Sequence, residues 1–61
     1  MQQRSEAARI ALRLVQQGRI IESGRYEALR RAGLVEQRGR GHQARRWLTE
    51  AGEQLLARAE A

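Results

Sequence analysis

The fold is decided by residues 26–56, which read YEALRRAGLVEQRGRGHQARRWLTEAGEQLL. This pattern predicts a helix that ends at Gly33, two short strands joined by a tight basic loop, and a last helix that starts at Thr49. Gly33 can take the left-handed conformation that closes a helix, and Leu34 can then fold back on Leu29, as in a Schellman cap. The Thr49 hydroxyl can cap the last helix.

Between these helices the sequence favours a β-hairpin. The first strand starts at residues 34–36, and residues 37–42 hold two glycines that free the backbone for a reversal. Residues 43–48 return as the partner strand. Alternation along that strand places Trp47 on one face and Leu48 on the other.

The order of helix, Gly-Leu-Val, basic glycine loop, strand, Leu-Thr-Glu-Ala-Gly and helix resembles the C-terminal half of winged helix-turn-helix transcription regulators. The resemblance covers about half of the chain, and its residues are Leu29, Gly33, Leu34, Val35, Glu36, Arg38, Gly39, Gly41, Arg46, Leu48, Thr49, Glu50, Ala51 and Gly52. It implies a small α+β, winged-helix-like domain in which the hairpin is a wing that binds DNA. It also implies a homodimer, because the C-terminal helix often forms the dimer in these regulators.

The chain differs from that family between its first helix and the Gly-Leu-Val segment. The family usually has two helices there, whereas residues 19–32 have room for a short strand and one helix. The resemblance therefore implies one winged-helix-like domain over residues 1–61 with a shortened helix-turn-helix region. Its expected element order is helix, short strand, helix, two-stranded wing and helix.

Length and composition set the class of protein. A chain of 61 residues forms one domain of marginal size, because it buries only ~60% of its extended surface. It has no cysteine, which excludes disulfides and thiolate metal sites. No long apolar run suggests a signal peptide or a membrane span, so we expect a soluble cytoplasmic protein without a membrane partner.

Charge is the strongest compositional signal. All 12 basic residues are arginine, all 7 acidic residues are glutamate, and the net charge is +5. Residues 34–48 carry +3, whereas residues 49–61 carry −2. An asymmetric basic surface favours a polyanionic partner, although a basic protein without such a partner would have the same composition.

The first helix is expected after a frayed segment at residues 1–4, with Ser5 as its N-cap and Gly18 just beyond its end. Its apolar arc spans roughly 200°, wider than the ~100° that a surface helix needs. Either this arc includes a dimer interface, or the helix is central and packed on two sides. The residues of that interface would be Ala8, Leu12 and Val15.

Residues 19–22 include two β-branched residues, Ile20 and Ile21, and lie between Gly18 and Ser23-Gly24, which predicts a small third strand beside the wing. Ser23 is the predicted N-cap of the second helix, which should turn Tyr26 and Leu29 inward.

Two arginines on the second helix are candidate DNA ligands. Arg31 could contact a guanine or a phosphate, but an ion pair with Glu27 explains it equally well. Arg25 lies in the first turn, where a phosphate would also meet free backbone N–H groups.

The hairpin concentrates four arginines around its tip: Arg38, Arg40, Arg45 and Arg46. An arginine on a narrow projecting loop can enter a minor groove or straddle phosphates. The resembled family uses its wing in this way, which makes Arg40 at the tip the foremost candidate. The alternative is that charged residues on an exposed hairpin only discourage edge-to-edge pairing of sheets.

Two further residues of the hairpin have open roles. His42 cannot form a metal site alone, and we expect it to be solvated or to donate a hydrogen bond to a phosphate. Trp47 is expected in the core or an interface rather than against a base.

The last helix has an apolar stripe. Gly52 in its first turn suggests close approach to another backbone. The alternative dimer interface lies on this helix, at Leu55, Leu56 and Ala59.

These observations argue against an enzyme, because the chain has no aspartate or cysteine and no paired catalytic groups, and they imply no cofactor. We expect a small protein that binds double-stranded DNA, typically a transcription regulator. The alternative is a protein-interaction module on a degenerate winged-helix scaffold, such as a small inhibitor or accessory protein of a mobile element. RNA binding stays open, although the aromatic stacking platforms common in proteins that bind single strands are absent.

Overall fold

A computed structural model of the chain describes residues 2–61, with side chains for residues 6–41 and 43–61. In that part of the chain, three helices and a two-stranded antiparallel hairpin form a small α+β domain. The elements are α1 (Gln2–Gln16), α2 (Ser23–Arg31), β1 (Val35–Arg38), β2 (Arg45–Leu48) and α3 (Glu50–Ala59), with a 3₁₀ turn at Gly41–Gln43 in the hairpin loop.

Helix α1 begins earlier than predicted and ends where expected. It starts at Gln2, so Ser5 lies inside the helix and the predicted N-cap is wrong. Met1 lies outside the described residues, and the fraying predicted for residues 1–4 stays a prediction. At the other end Gly18 has a φ of 77°, and the Arg19 N–H donates to the Leu14 carbonyl at 2.9 Å. This is a Schellman cap.

The apolar arc of α1 is wide because the helix is central. Ala11, Leu12 and Val15 are 1%, 0% and 2% exposed, and α1 contacts α2, α3 and β2. The predicted alternative of a helix packed on more than one side is therefore confirmed. Leu12 and Val15 are covered within a single chain, so they have no surface to offer a second copy.

Residues 19–22 are not a strand. The sheet of the described chain contains β1 and β2 only, and the predicted third strand is wrong. Ile21 inserts into the core while Ile20 is 90% exposed. Ile20 and Ile21 thus link α1 to α2 without regular secondary structure.

Helix α2 is capped by a different residue from the one predicted. The Glu22 carboxylate accepts a hydrogen bond from the Arg25 N–H at 2.8 Å, so Glu22 is the N-cap and Ser23 is already helical. Tyr26 and Leu29 are buried, as predicted.

The end of α2 confirms the predicted Schellman cap. Gly33 has a φ of 76°, its N–H donates to the Arg30 carbonyl at 3.0 Å, and the Leu34 N–H donates to the Leu29 carbonyl at 3.0 Å. The chain leaves this cap directly into β1.

The hairpin pairs Val35 with Leu48 at its base and Arg38 with Arg45 next to its loop. Val35 and Leu48 are buried, so the alternation predicted for β2 is confirmed and Trp47 points outward. The second strand starts two residues later than predicted, because Gly41–Gln43 forms a turn.

Helix α3 is fixed to the hairpin by Thr49. The Thr49 hydroxyl accepts from the Gly52 N–H at 3.1 Å and donates to the Gly33 carbonyl at 2.6 Å, which confirms the predicted cap. Gly52 is buried against the Leu34 backbone, as its position suggested.

The core is shared by every helix and both strands. Its residues are Ala11, Leu12, Val15, Ile21, Tyr26, Leu29, Val35, Leu48 and Leu56. Within the described chain no helix has the length and apolar character needed to cross a membrane.

Candidate nucleic-acid interface

The outer face of the hairpin is exposed and mostly polar. Because Val35 and Leu48 turn inward, the alternating positions turn outward. These are Glu36 opposite Trp47 and Arg38 opposite Arg45, and all four side chains are exposed. We call this set the outer hairpin face.

Arg38 and Arg45 bring two positive charges together on that face. Among the side chains that the structure describes, neither has a carboxylate within ion-pair distance. They border one shallow depression of about 540 Å³ with Gly39, Gln43 and Trp47. Two uncompensated guanidinium groups beside a shared hollow form a site suited to an anion.

The loop tip presents Arg40. Gly39 and Gly41 have φ values of 87° and 61°, and Arg40 between them is extended and exposed. The loop closes through the Ala44 N–H, which donates to the Gly41 carbonyl at 3.1 Å. The structure therefore holds Arg40 at the projecting end of the hairpin, whereas the His42 side chain lies outside what it describes.

Arg46 faces the other way from Arg45. Its guanidinium carbon lies 3.9 Å from the centre of the Tyr26 ring, and its Nε donates to Gln37 Oε1 at 3.0 Å. Arg46 is half-buried, so its stem and charge pack onto the domain. The structure thus separates this residue from the three exposed arginines of the hairpin.

A second basic hollow lies between the end of α1 and the hairpin loop. This cleft of about 670 Å³ is bordered by Arg19, Arg45 and Arg46. Sequence reasoning missed Arg19, because it was placed in a strand. The signal that could have found it is Gly18, whose Schellman cap sends the chain back past the end of α1.

Arg25 and Arg31 are both exposed on α2. The Arg25 N–H already bonds the Glu22 carboxylate, which adds a negative charge where a phosphate was expected. Glu27 pairs with Arg30 at 3.8 Å, so the predicted alternative of a Glu27–Arg31 pair is wrong. Arg31 makes no ion pair among the described side chains.

Acidic residues form ion pairs with arginines between α1 and the end of α3. Glu60 at the end of α3 bonds Arg13 on α1, and Arg9 lies 3.9 Å from the same carboxylate. The hydrogen bond from Arg13 holds the pKa of Glu60 below its ordinary value and raises the pKa of Arg13. These pairs compensate Arg9 and Arg13. Among the described side chains, the four hairpin arginines have no ion pair, and the same holds for Arg19, Arg25, Arg31 and Arg58. The hairpin differs in that four such arginines lie within nine positions of the chain.

The predicted dimer residues divide by burial. Leu12, Val15 and Leu56 belong to the core, Ala8 and Leu55 are half-buried, and Ala59 is exposed. The larger exposed apolar side chains are Ile10, Ile20 and Trp47, at 47%, 90% and 42% exposure. Of the core or interface role predicted for Trp47, the core role is therefore wrong, and the interface role stays a prediction.

The described chain holds no group of three or more acidic or histidine side chains that could bind a metal ion.

No family model, curated protein or solved structure matches the sequence or its fold.

Proposed function

We propose that this chain is a small DNA-binding protein that grips phosphates with its arginine-rich hairpin. The observation that carries the proposal is the state of Arg38, Arg40 and Arg45, which are exposed and lack an ion-pair partner among the described side chains. Surface arginines kept apart from glutamates retain their attraction for phosphate, and bidentate guanidinium contacts suit phosphate geometry.

The arrangement of elements supports a winged-helix type. The hairpin lies between α2 and α3, and it is anchored at its base by the Gly33 cap and by Thr49. Within the described chain α2 is the one helix between α1 and the hairpin, so the proposed contact relies on the wing more than on a major-groove helix. Arg25 and Arg31 would add contacts to the backbone, and Arg46 would support the hairpin from within.

In this proposal the protein is a cytoplasmic, non-catalytic transcription regulator. A homodimer would double a small set of contacts with double-stranded DNA. Of the surfaces predicted for it, α3 keeps Leu55 half-buried and Ala59 exposed, which favours α3 over α1 as the interface.

The test is fluorescence anisotropy on a labelled duplex of about 30 base pairs at two salt concentrations. If the three exposed arginines each neutralise one phosphate, the logarithm of the affinity should fall against the logarithm of salt with a slope of about −3 or steeper. The double variant Arg38→Ala/Arg40→Ala should flatten this slope by about 2. The control is Arg58→Ala, which removes one arginine from α3 instead of from the hairpin. An absence of binding at low salt, or equal slopes for all three proteins, would contradict the proposal.

The second candidate is a protein-interaction module. Ile10 and Ile20 border an apolar groove of about 460 Å³ beside α1, and exposed apolar surface of this kind often marks a contact with another protein. A partner with an acidic rim would suit Arg25 at the edge of the groove. Absence of DNA binding together with capture of such a partner would favour this candidate.

A further inference from the structure

The chain has one tryptophan, and it stands on the outer hairpin face. Trp47 is 42% exposed, so the domain does not gain the full stabilisation that burial of this large side chain would provide. The core of this domain is filled from the inner positions of the hairpin, which leaves Trp47 free for another contact.

The neighbours of Trp47 are cationic and polar on one side. Arg38, Arg45 and Gln43 border the same hollow, of about 540 Å³. An indole ring offers a flat stacking surface, guanidinium groups bind phosphate, and a primary amide can both donate to and accept from a base edge. Together these groups fit a nucleotide.

The single negative charge of the face lies beside Trp47, across the strand pair. Glu36 is the cross-strand partner of Trp47, whereas Arg38 and Arg45 form the next pair toward the loop on the same face. A phosphate would be repelled at Glu36 and attracted at the arginine pair, so a strand stacked on Trp47 would run its backbone on the loop side.

We propose that the outer hairpin face binds an unpaired nucleobase, stacked on Trp47, with the adjoining phosphates held by Arg38 and Arg45. This inference rests on the proposed DNA binding and specifies the substrate as DNA with a single-stranded stretch, such as an overhang or a frayed end. A base inside an intact duplex is already stacked on its neighbours and cannot reach the ring.

Charge argues against a second copy of the chain as the occupant. The face has two arginines and one glutamate, so two copies that met through it would each bring a net positive charge to the contact, which is unfavourable. A polyanion meets the two guanidinium groups without this penalty.

The experiment compares a blunt duplex with the same duplex carrying a single-stranded thymidine overhang of about eight nucleotides. Anisotropy measures both affinities, and because Trp47 is the sole tryptophan, its fluorescence reports directly on this face. We expect quenching by the overhang substrate and tighter binding to it, by ~5- to 150-fold, as one stacked base would give. Trp47→Leu should bring the affinities for the two duplexes together and so remove this preference. Trp47→Phe should keep part of it.

The matched control is Ile10→Ala, which removes exposed apolar surface from α1 and should leave the preference intact. Circular dichroism checks that each variant is folded. The fluorescence measurement uses the wild-type protein, so it does not depend on the folding of any variant. Equal affinity for both duplexes without quenching would overturn this inference and leave the proposed function standing. Absence of binding to either duplex would overturn both. Quenching or a blue shift caused only by an acidic peptide or by raised protein concentration would assign the face to a protein contact instead.

Discussion

Arg38 and Arg45 stand directly opposite each other in the last register pair of the hairpin, on its exposed face. Like charges at directly opposed positions destabilise a strand pair. The domain therefore keeps an unfavourable pair at a place where many uncharged residues would fit, and an anion placed between the two guanidinium groups would relieve it.

Replacing Arg38 by threonine should separate stability from binding. Loss of the like-charge pair should raise the free energy of unfolding by about 0.2–1 kcal/mol, and loss of a phosphate contact should weaken DNA binding. Urea denaturation and anisotropy at low salt measure the two effects. A fall in stability without any change in DNA affinity would mean that Arg38 has a structural role.

Arg46 should behave in the opposite manner. Its guanidinium stacks on Tyr26 and bonds Gln37, so Arg46→Ala should lower the free energy of unfolding by roughly 0.5–2 kcal/mol. Arg40→Ala, which removes the same charge from the loop tip, should change it by no more than about 0.5 kcal/mol. Equal effects of the two substitutions on the urea midpoint would show that the stacking contributes nothing.

The hydroxyl of Tyr26 is buried and has no hydrogen-bond partner among the described residues. Phenylalanine keeps the ring beneath Arg46 and removes the unsatisfied group, so Tyr26→Phe should leave stability unchanged or raise it by about 1 kcal/mol. Thermal and urea denaturation would detect the change. A loss of more than about 1 kcal/mol would reveal a hydrogen bond to this hydroxyl.

Gly52 should be the least replaceable glycine. A Cβ at this position would overlap the carbonyl oxygen of Leu34, which also accepts from the Thr49 N–H. We expect Gly52→Ala to cost about 1–3 kcal/mol, although alanine improves helix propensity by about 1 kcal/mol. Gln54→Ala on the exposed side of α3 is the control and should stay within about 0.5 kcal/mol of wild type. Wild-type stability of Gly52→Ala would mean that α3 can shift away from the hairpin.

Acid should weaken the contact between α1 and α3. The hydrogen bond from Arg13 lowers the pKa of Glu60 from its ordinary value of 4.5, so the folded state binds this proton less tightly than the unfolded chain. The stabilisation is fully present above the unfolded pKa of 4.5 and is lost as pH falls through the lower folded-state pKa. Glu60→Gln should flatten this part of the pH dependence of stability, measured by urea titrations. The control is Glu53→Gln, which should not flatten it, because Glu53 is exposed and has no ion pair among the described side chains. Parallel curves for wild type and Glu60→Gln would contradict the prediction.

Local signals in the sequence predicted much of the fold. The Gly33 cap, the Thr49 cap and the alternation of β2 each depend on residues within about six positions of one another, and all three are confirmed. The start of α1 and the cap of α2 failed, because helix ends are shared among several acceptable residues and a carboxylate such as Glu22 competes with a hydroxyl for the same N–H.

The candidate site was predictable in composition but not in geometry. The sequence marked the four hairpin arginines as a group, yet only the fold turns Arg46 onto Tyr26 and brings Arg19 to the edge of the same cleft as Arg45. These contacts join residues that lie 20 or more positions apart, so no local pattern records them.

By itself the sequence determined where the first two helices end, the basic hairpin, and the placement of Trp47 and Leu48 on opposite faces of β2, because these follow from backbone conformation and period. Only the tertiary structure decided that residues 19–22 find no strand to pair with, that Leu12 is core rather than interface, and that Trp47 stays exposed. The physical reason is the same in each case. Burial and sheet pairing depend on which distant element lies alongside, and here α1 is enclosed by α2, α3 and β2 while the outer hairpin face is left uncovered.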